Sequence, residues 1–368
     1  MKNISCILFL LYYSFIVNAN EPIEKEKSSN SQYYGLHLGV LSYISFETEF
    51  TPNGKINNKF KVTRGYLTIK KEIFDFMNFR MTYDLYDDDD GVEERVKYLY
   101  TAFVLDDIGF ISNNKIHFGI IQTPWIDFAE HTNKYRMQGT LPLERNDIYV
   151  SSDFGISYNC LIGGQISEDY KKIVNSNYPG KYGSITLGLY NGCGYSKIEL
   201  NSLLTLQGRF TIRPFPERIP GLQISYYGIW GHGNYNDKYK TNPLWQTNLF
   251  AISYEDKLFT FLGETYFGKG DYKGAIVDDQ GNPLNYKGYS LFIEGKFIKN
   301  IKLISRFDYF DRNTQQPGNK KLEVIAGVGY DFDNQNILLL DYDWIEFENN
   351  NQNNQKILKL TMQINFSD

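Results

Sequence analysis

Apolar and polar residues alternate with a period of two along most of this chain, as expected of strands whose two faces meet different surroundings. Residues 356–366 show it most clearly: Leu358, Leu360, Met362, Ile364 and Phe366 fall on one face, Lys359, Thr361, Gln363 and Asn365 on the other. A helix, with its longer period, would smear that pattern. The same split runs through 79–85, 204–213, 289–297 and 301–310, with Phe292 an aromatic exception on a polar face. Arg80, Arg209 and Arg306 sit in mid-strand, where a soluble sandwich would turn them to water on its outside. A barrel with a wet lumen turns them inside instead. Periodicity alone does not say which face is which.

The connections break the tie. Counting candidate strands from Tyr34 gives about sixteen, an even number as single-chain bacterial barrels require. Short links fall at 73–76, 214–221, 255–257, 299–300 and 333–336. Long polar ones fall at 51–59, 87–94, 124–150, 231–243, 270–283, 311–321 and 348–355. Sorting of this kind predicts an all-β fold, a transmembrane antiparallel β-barrel with short periplasmic turns and long external loops, and a sandwich has no reason to produce it. Residues 167–181 break the alternation, being long where a short turn is due. On this scheme both termini are periplasmic, residues 34–368 are one barrel domain, and Trp230, Trp245 and Trp344 lie near the external strand ends, where amphipathic rings prefer the headgroup layer.

The largest interruption is 122–150, QTPWIDFAEHTNKYRMQGTLPLERNDIYV. Thr123-Pro124 stops the preceding strand because proline cannot donate to a ladder. Trp125, Phe128, Ala129 and Thr132 then recur at helical spacing, with Asp127, Glu130, His131, Lys134 and Arg136 interleaved, so a helical turn or two is predicted within 125–136. By its own residues the segment is either a surface excursion or a piece folded into the barrel mouth.

Tyrosine (30), phenylalanine (26) and glycine (31) are abundant, and mean hydropathy is −0.42. After the first twenty residues no run is long and apolar enough for a membrane helix, which excludes a helical membrane protein and leaves a barrel open. Lys2, the apolar stretch 4–17 and Val17-Asn18-Ala19 make residues 1–19 a cleavable signal peptide, with 20–33 a short periplasmic lead-in and the cell outer membrane as destination. Without Lys2 the mature chain has 37 basic against 43 acidic residues, a net charge of −6, and no basic field that would suggest nucleic acid. Cys160 and Cys193 fall at opposite ends of neighbouring predicted strands, which disfavours a disulfide.

No catalytic, metal or cofactor pattern emerges. The four histidines, His37, His117, His131 and His232, lack ligand spacing. Gly192-Cys193-Gly194 lacks a third glycine and a following helix. The run Asp87 to Asp90 fails the calcium-loop register, since Tyr86 and Lys97 fall where ligands belong. No GxSxG elbow is present. What remains is a set of inward charges: Arg64, Arg80, Arg95, Lys97, Arg209, Arg213, Lys296, Lys302 and Arg306 against Asp84, Glu294, Asp308, Asp341 and Asp343. Each either pairs into a structural network or adds to a charged ring that sets ion preference. The basic excess points toward anions.

On the segments Arg64-Gly65-Tyr66-Leu67-Thr68, Phe79-Arg80-Met81-Thr82-Tyr83-Asp84, Val96-Lys97-Tyr98-Leu99-Tyr100, Phe118-Gly119-Ile120-Ile121-Gln122-Thr123-Pro124 and Tyr190-Asn191-Gly192, the chain resembles the phosphate-selective porins of the O and P type. The resemblance implies a homotrimer of sixteen-stranded barrels in outer-membrane lipid, each with its third long loop folded inward. Here that constriction loop is 124–150, carrying Asp127, Glu130, Lys134, Arg136, Glu144 and Arg145. Its mixture of signs departs from the arginine ladder and lysine cluster implied for phosphate-selective members. Such barrels also end on an aromatic read by the assembly machinery, whereas Ser367 and Asp368 follow Phe366 here. The reading is a passive porin for small hydrophilic solutes, anions or phosphate among them. Its alternatives are an outer-membrane barrel hydrolase and a soluble exported carbohydrate-binding sandwich.

Overall fold

The computed structural model describes residues 35–51, 54–88, 91–333, 335–349 and 354–367. Residues 1–34, with the expected signal peptide and lead-in, lie outside them, as do Asp89 and Asp90 of the acidic run. Sixteen strands follow in chain order: β1 Leu36–Phe50, β2 Ile56–Phe74, β3 Met77–Asp88, β4 Gly91–Leu105, β5 Ile111–Gln122, β6 Ser152–Ile162, β7 Gly183–Tyr190, β8 Thr205–Ile212, β9 Gln223–His232, β10 Leu244–Glu255, β11 Phe259–Lys269, β12 Asn285–Ile298, β13 Ile301–Asp311, β14 Lys320–Asp333, β15 Asn336–Phe347 and β16 Gln355–Ser367. Each pairs antiparallel with its chain neighbours, and β1 closes on β16 with Val40 opposite Phe366 and Phe46 opposite Leu360. Closure leaves no unpaired sheet edge.

The alternation now acquires its faces. In β8, Thr205, Gln207, Arg209 and Thr211 are buried inside, while Leu206, Phe210 and Ile212 are exposed outside. In β16, Lys359, Thr361 and Gln363 point in, and Leu358, Leu360 and Phe366 point out. An outward apolar coat over a polar interior is the inverse of a soluble protein and suits a barrel set in hydrocarbon.

The hydrophobic core lies in the lumen. The link between β5 and β6 folds inward and forms helix α1, Pro124–Thr132, a 3-10 turn at Arg136–Gln138 and a short helix α2, Pro142–Arg145. Its Trp125, Ile126, Phe128, Ala129, Met137, Leu143 and Tyr149 cluster with inward Tyr227, Leu249, Leu262, Tyr266, Tyr286 and Phe292. Phe292, the aromatic on a polar face, is there because Tyr135 packs on it, ring centroids 6.0 Å apart.

Three expectations are corrected. The links at 51–59 and 87–94 are tight, not long: the β1–β2 ladder continues to Phe50 opposite Ile56, and the β3–β4 ladder to Asp88 opposite Gly91. A hairpin projecting past the rim is solvated on both faces, so Asn57, Asn58, Lys59, Glu93 and Glu94 belong to strands despite their polarity. Trp230 and Trp344 face outward, but Trp245 is buried inward, 6.5 Å from the Tyr272 ring. The short turn 106–110 between β4 and β5 completes the rim but gave no separate signal in the pattern. Cys160 and Cys193 are buried and unbridged.

The face assignment is directly testable. Leu291→Arg, on the outward face of β12, should cost about 2–4 kcal/mol of stability in lipid vesicles if mid-strand lies near the bilayer midplane. Unchanged urea unfolding would mean that this face does not meet hydrocarbon.

Candidate functional site

The inward loop is fixed at its base, its middle and its tip. Thr123 closes the base, its N–H donating to Ser151 O (3.1 Å) and its hydroxyl to Val150 O (3.0 Å). Proline at the first helical position starts α1 at no hydrogen-bond cost. Beneath α1, the buried Arg209 donates from Nε to Pro124 O (3.1 Å) and from its terminal nitrogens to Ser184, Thr211 and Thr186 hydroxyls. Its guanidinium lies 4.6 Å from both the Phe128 and Tyr178 ring centres. A buried cation is tolerable only when its donors are satisfied in this way.

Trp125 Nε1 donates to Glu264 (2.8 Å), and the Tyr135 hydroxyl to Glu294 (2.6 Å). Arg145 reaches Asp308 (3.2 Å) and Glu323, while Arg306 holds Asp308 from the other side (2.9 Å). Gly139, at φ +147°, leaves room for Arg145: a Cβ there would stand 2.6 Å from the Arg145 guanidinium. Lys359 Nζ ties down Gln138 O at the tip (2.8 Å).

Arg136 spans the lumen. Its terminal nitrogens grip Glu144 with two bonds, 3.0 and 3.1 Å, and reach Glu130, while Nε donates to Tyr66 on β2 (3.1 Å). Burial pulls the guanidinium down, but Glu130 and Glu144 outweigh it and hold Arg136 well above its ordinary value. For Glu144, burial pushes up and Arg136 wins, keeping the carboxyl below its usual range.

With the loop held on the far side, the open space lies along β1 to β5. A cavity of about 500 Å³ runs between the loop and that wall, past Tyr43, Tyr66, Arg80, Lys97 and Tyr98. A bulge in the β3–β4 ladder, where Thr82 faces Tyr98 and Tyr83 faces Val96, inserts Lys97 as the extra residue, so that neighbours Lys97 and Tyr98 both reach the lumen. The Lys97 ammonium sits 4.7 Å from the Tyr66 ring centre, and the Arg80 guanidinium 4.6 Å from that of Tyr98.

The sequence-derived residues therefore separate. Asp127, Glu130, Lys134 and Arg136 line the cavity, as do Arg80 and Lys97. Glu144 stands behind Arg136, and Arg145 lies away from the cavity among β13 and β14 carboxylates. Arg64 and Arg95 flank Asp84 at 3.0 and 3.2 Å, with the Tyr195 hydroxyl bonded to the same carboxylate (3.3 Å). Arg209, Arg213 and Arg306 are almost wholly buried, and Lys296 pairs with Glu294 (3.5 Å). The sequence reading missed Tyr43, Tyr66 and Tyr98, although Tyr66 follows Arg64 at strand spacing and so shares its face. It also missed Lys171, Lys172 and the stretch 174–177, which enter the cavity from the link after β6.

The Arg136 cluster predicts an acid-sensitive loop. Folded Glu144 holds its proton less tightly than the unfolded chain, so its contribution is complete above the ordinary carboxylate value of 4.5 and is lost as pH falls below it. The thermal midpoint should fall on acidification through that range, and Glu144→Gln should lower it at neutral pH and flatten the slope. An unchanged slope in the variant would contradict this.

No family model and no curated protein matches the chain. Solved structures do match, at low identity. The anion-selective porin from Comamonas acidovorans superposes with a TM-score of 0.61 at 10% identity, covering 90% of this chain and 99% of that one. The outer membrane channel DcaP of Acinetobacter baumannii gives 0.59 at 11%, covering 92% and 100%. The trimer form of OmpT, an outer membrane protein of Vibrio cholerae, gives 0.56 at 11%, covering 90% and 100%. The chain thus has the closed sixteen-strand antiparallel barrel of outer-membrane porin structures.

Proposed function

We propose that this chain is an outer-membrane porin, a passive diffusion channel for small hydrophilic solutes that prefers anions, phosphate among them. The observation that carries the preference is the charge on the cavity wall. Arg80, Lys97, Lys134, Arg136, Lys171 and Lys172 face Asp127 and Glu130 there, in a chain whose net charge is −5. Both carboxylates are engaged, Glu130 by Arg136 and Asp127 by the Tyr178 hydroxyl. Arg80, Lys97, Lys134 and Lys172 make no ion pair among the described residues. Tyrosine rings orient Arg80 and Lys97 without neutralising them, which leaves their field available to a passing ion.

The same reading takes in the rest of the molecule. Residues 1–19 direct export, the apolar coat meets outer-membrane lipid, and β16, with Phe366 near its end, is the segment presented to the barrel-assembly machinery. Homotrimeric assembly is supported by the trimer form of the Vibrio protein. No cofactor is required.

In a planar bilayer under a potassium chloride gradient, the protein should give a zero-current potential on the chloride side, and phosphate should reduce the chloride current. Arg80→Glu with Lys97→Glu should move that potential toward potassium. Absence of current would remove the porin reading. A cation-selective wild type would remove the anion preference.

A further inference from the structure

Residues 163–182 join β6 to β7 and are longer than any other link at the short-turn rim. Instead of looping outside, they enter the barrel from that end. A helix, α3 (Glu168–Ile173), starts at Ser167, whose hydroxyl accepts from Tyr170 N–H (3.4 Å). The stretch 174–177 then runs along the cavity, and the chain returns through Tyr178-Pro179-Gly180.

Every turn of this segment is tied. Asn175, 7% exposed, donates its amide to His131 O of the constriction loop (3.0 Å) and to both Glu255 carboxylate oxygens on β10 (3.0 and 2.9 Å). Tyr178 sits edge-on to Phe128 and His131 and bonds Asp127 through its hydroxyl. Arg213 donates to Gly180 O (3.3 Å) and Tyr178 O (3.5 Å) and covers the Tyr170 ring. A segment meant only as a brace needs no side chains in the water path. Here Lys172, Ser176 and Asn177 are exposed and line the same cavity as Arg80 and Lys134.

We propose that residues 167–181 form a second narrowing of the conduit, on the short-turn side of the first, and that Lys172 with the 174–177 edge is a specificity-determining element for anions. This rests on the porin reading and goes beyond it. A solute leaving the cations of the β3–β4 wall meets a further ammonium and the exposed Ser176 hydroxyl and Asn177 amide before the exit. In a lumen of low dielectric walls, a charge at either narrowing acts on the same ion. Arg213, which strand alternation presents as a pore charge, serves as the clamp that holds this second element.

The test uses Ser176→Cys in a Cys160→Ser, Cys193→Ser background of the exported chain, without residues 1–19 and so without Cys6, reconstituted in a planar bilayer. A sulfonated methanethiosulfonate reagent should lower single-channel current at least about two-fold, since it adds bulk and negative charge in a narrow path. Lys172→Glu should shift the zero-current potential toward potassium, with Lys238→Glu on a long loop as the comparison that should not match it. Complete labelling by mass spectrometry with unchanged current, or Lys172→Glu with an unchanged potential, overturns the proposal while leaving the porin reading intact. Failure of the unmodified protein to conduct overturns both.

Discussion

The structure depends on the burial of one loop's apolar face inside a barrel that would otherwise have no hydrophobic core. Trp125, Ile126, Phe128 and Ala129 are removed from water against Tyr227, Leu262 and Phe292, and each large side chain buried in this way contributes roughly 1.5–3 kcal/mol. Dispersion and hydrophobic burial hold the loop to one wall, and polar groups fix its register. Trp125 to Glu264 and Tyr135 to Glu294 are single bonds from aromatic residues whose rings are already packed, so specificity comes with little added entropy loss. Removing Arg209 would leave α1 without the donors that hold Pro124 O.

That asymmetry decides what each charge does. On the packed wall, Arg145, Arg306, Asp308 and Glu323 form a buried network in which every member needs the others, and such groups give little field to the water path. On the open wall, Arg80 and Lys97 rest on tyrosine rings, make no ion pair among the described residues and meet the cavity. Arg136 belongs to both regimes: its carboxylate pair holds the loop tip, and its Nε reaches across to Tyr66. The cavity is thus made by exclusion, being the part of the lumen beside β1 to β5 that the loop and the link after β6 do not fill.

Much of this architecture was legible in the residues. Strict alternation in β8 and β16 needs only a two-sided environment, and the unequal links sort the rims. Helical spacing in 125–132 anticipated α1, whereas Phe292 stood out only as an exception on a polar face, its reason being the Tyr135 ring packed on it. Other features were hidden because one residue type serves two surroundings. An inward arginine reads the same whether it faces water, as Arg80 does, or is sealed beneath a helix, as Arg209 is. Asn57 to Lys59 read as loop because a solvated hairpin and a coil share a composition. The link 163–182 was visible as an irregularity of length, but its inward course depends on Asn175, Tyr178 and Arg213 finding partners on distant strands.

The open space of the lumen runs along β1 to β5, and the opposite wall is sealed by the loop. Thiol accessibility tests this most directly, using single cysteines at Thr68 on the open wall and at Thr260, buried on β11 opposite Glu294, both in a background without Cys160 and Cys193. A charged thiol reagent should react rapidly at position 68 in the folded protein, with a fall in current, and should not react at position 260. Equal reaction at both positions, or block from position 260 alone, would contradict this arrangement.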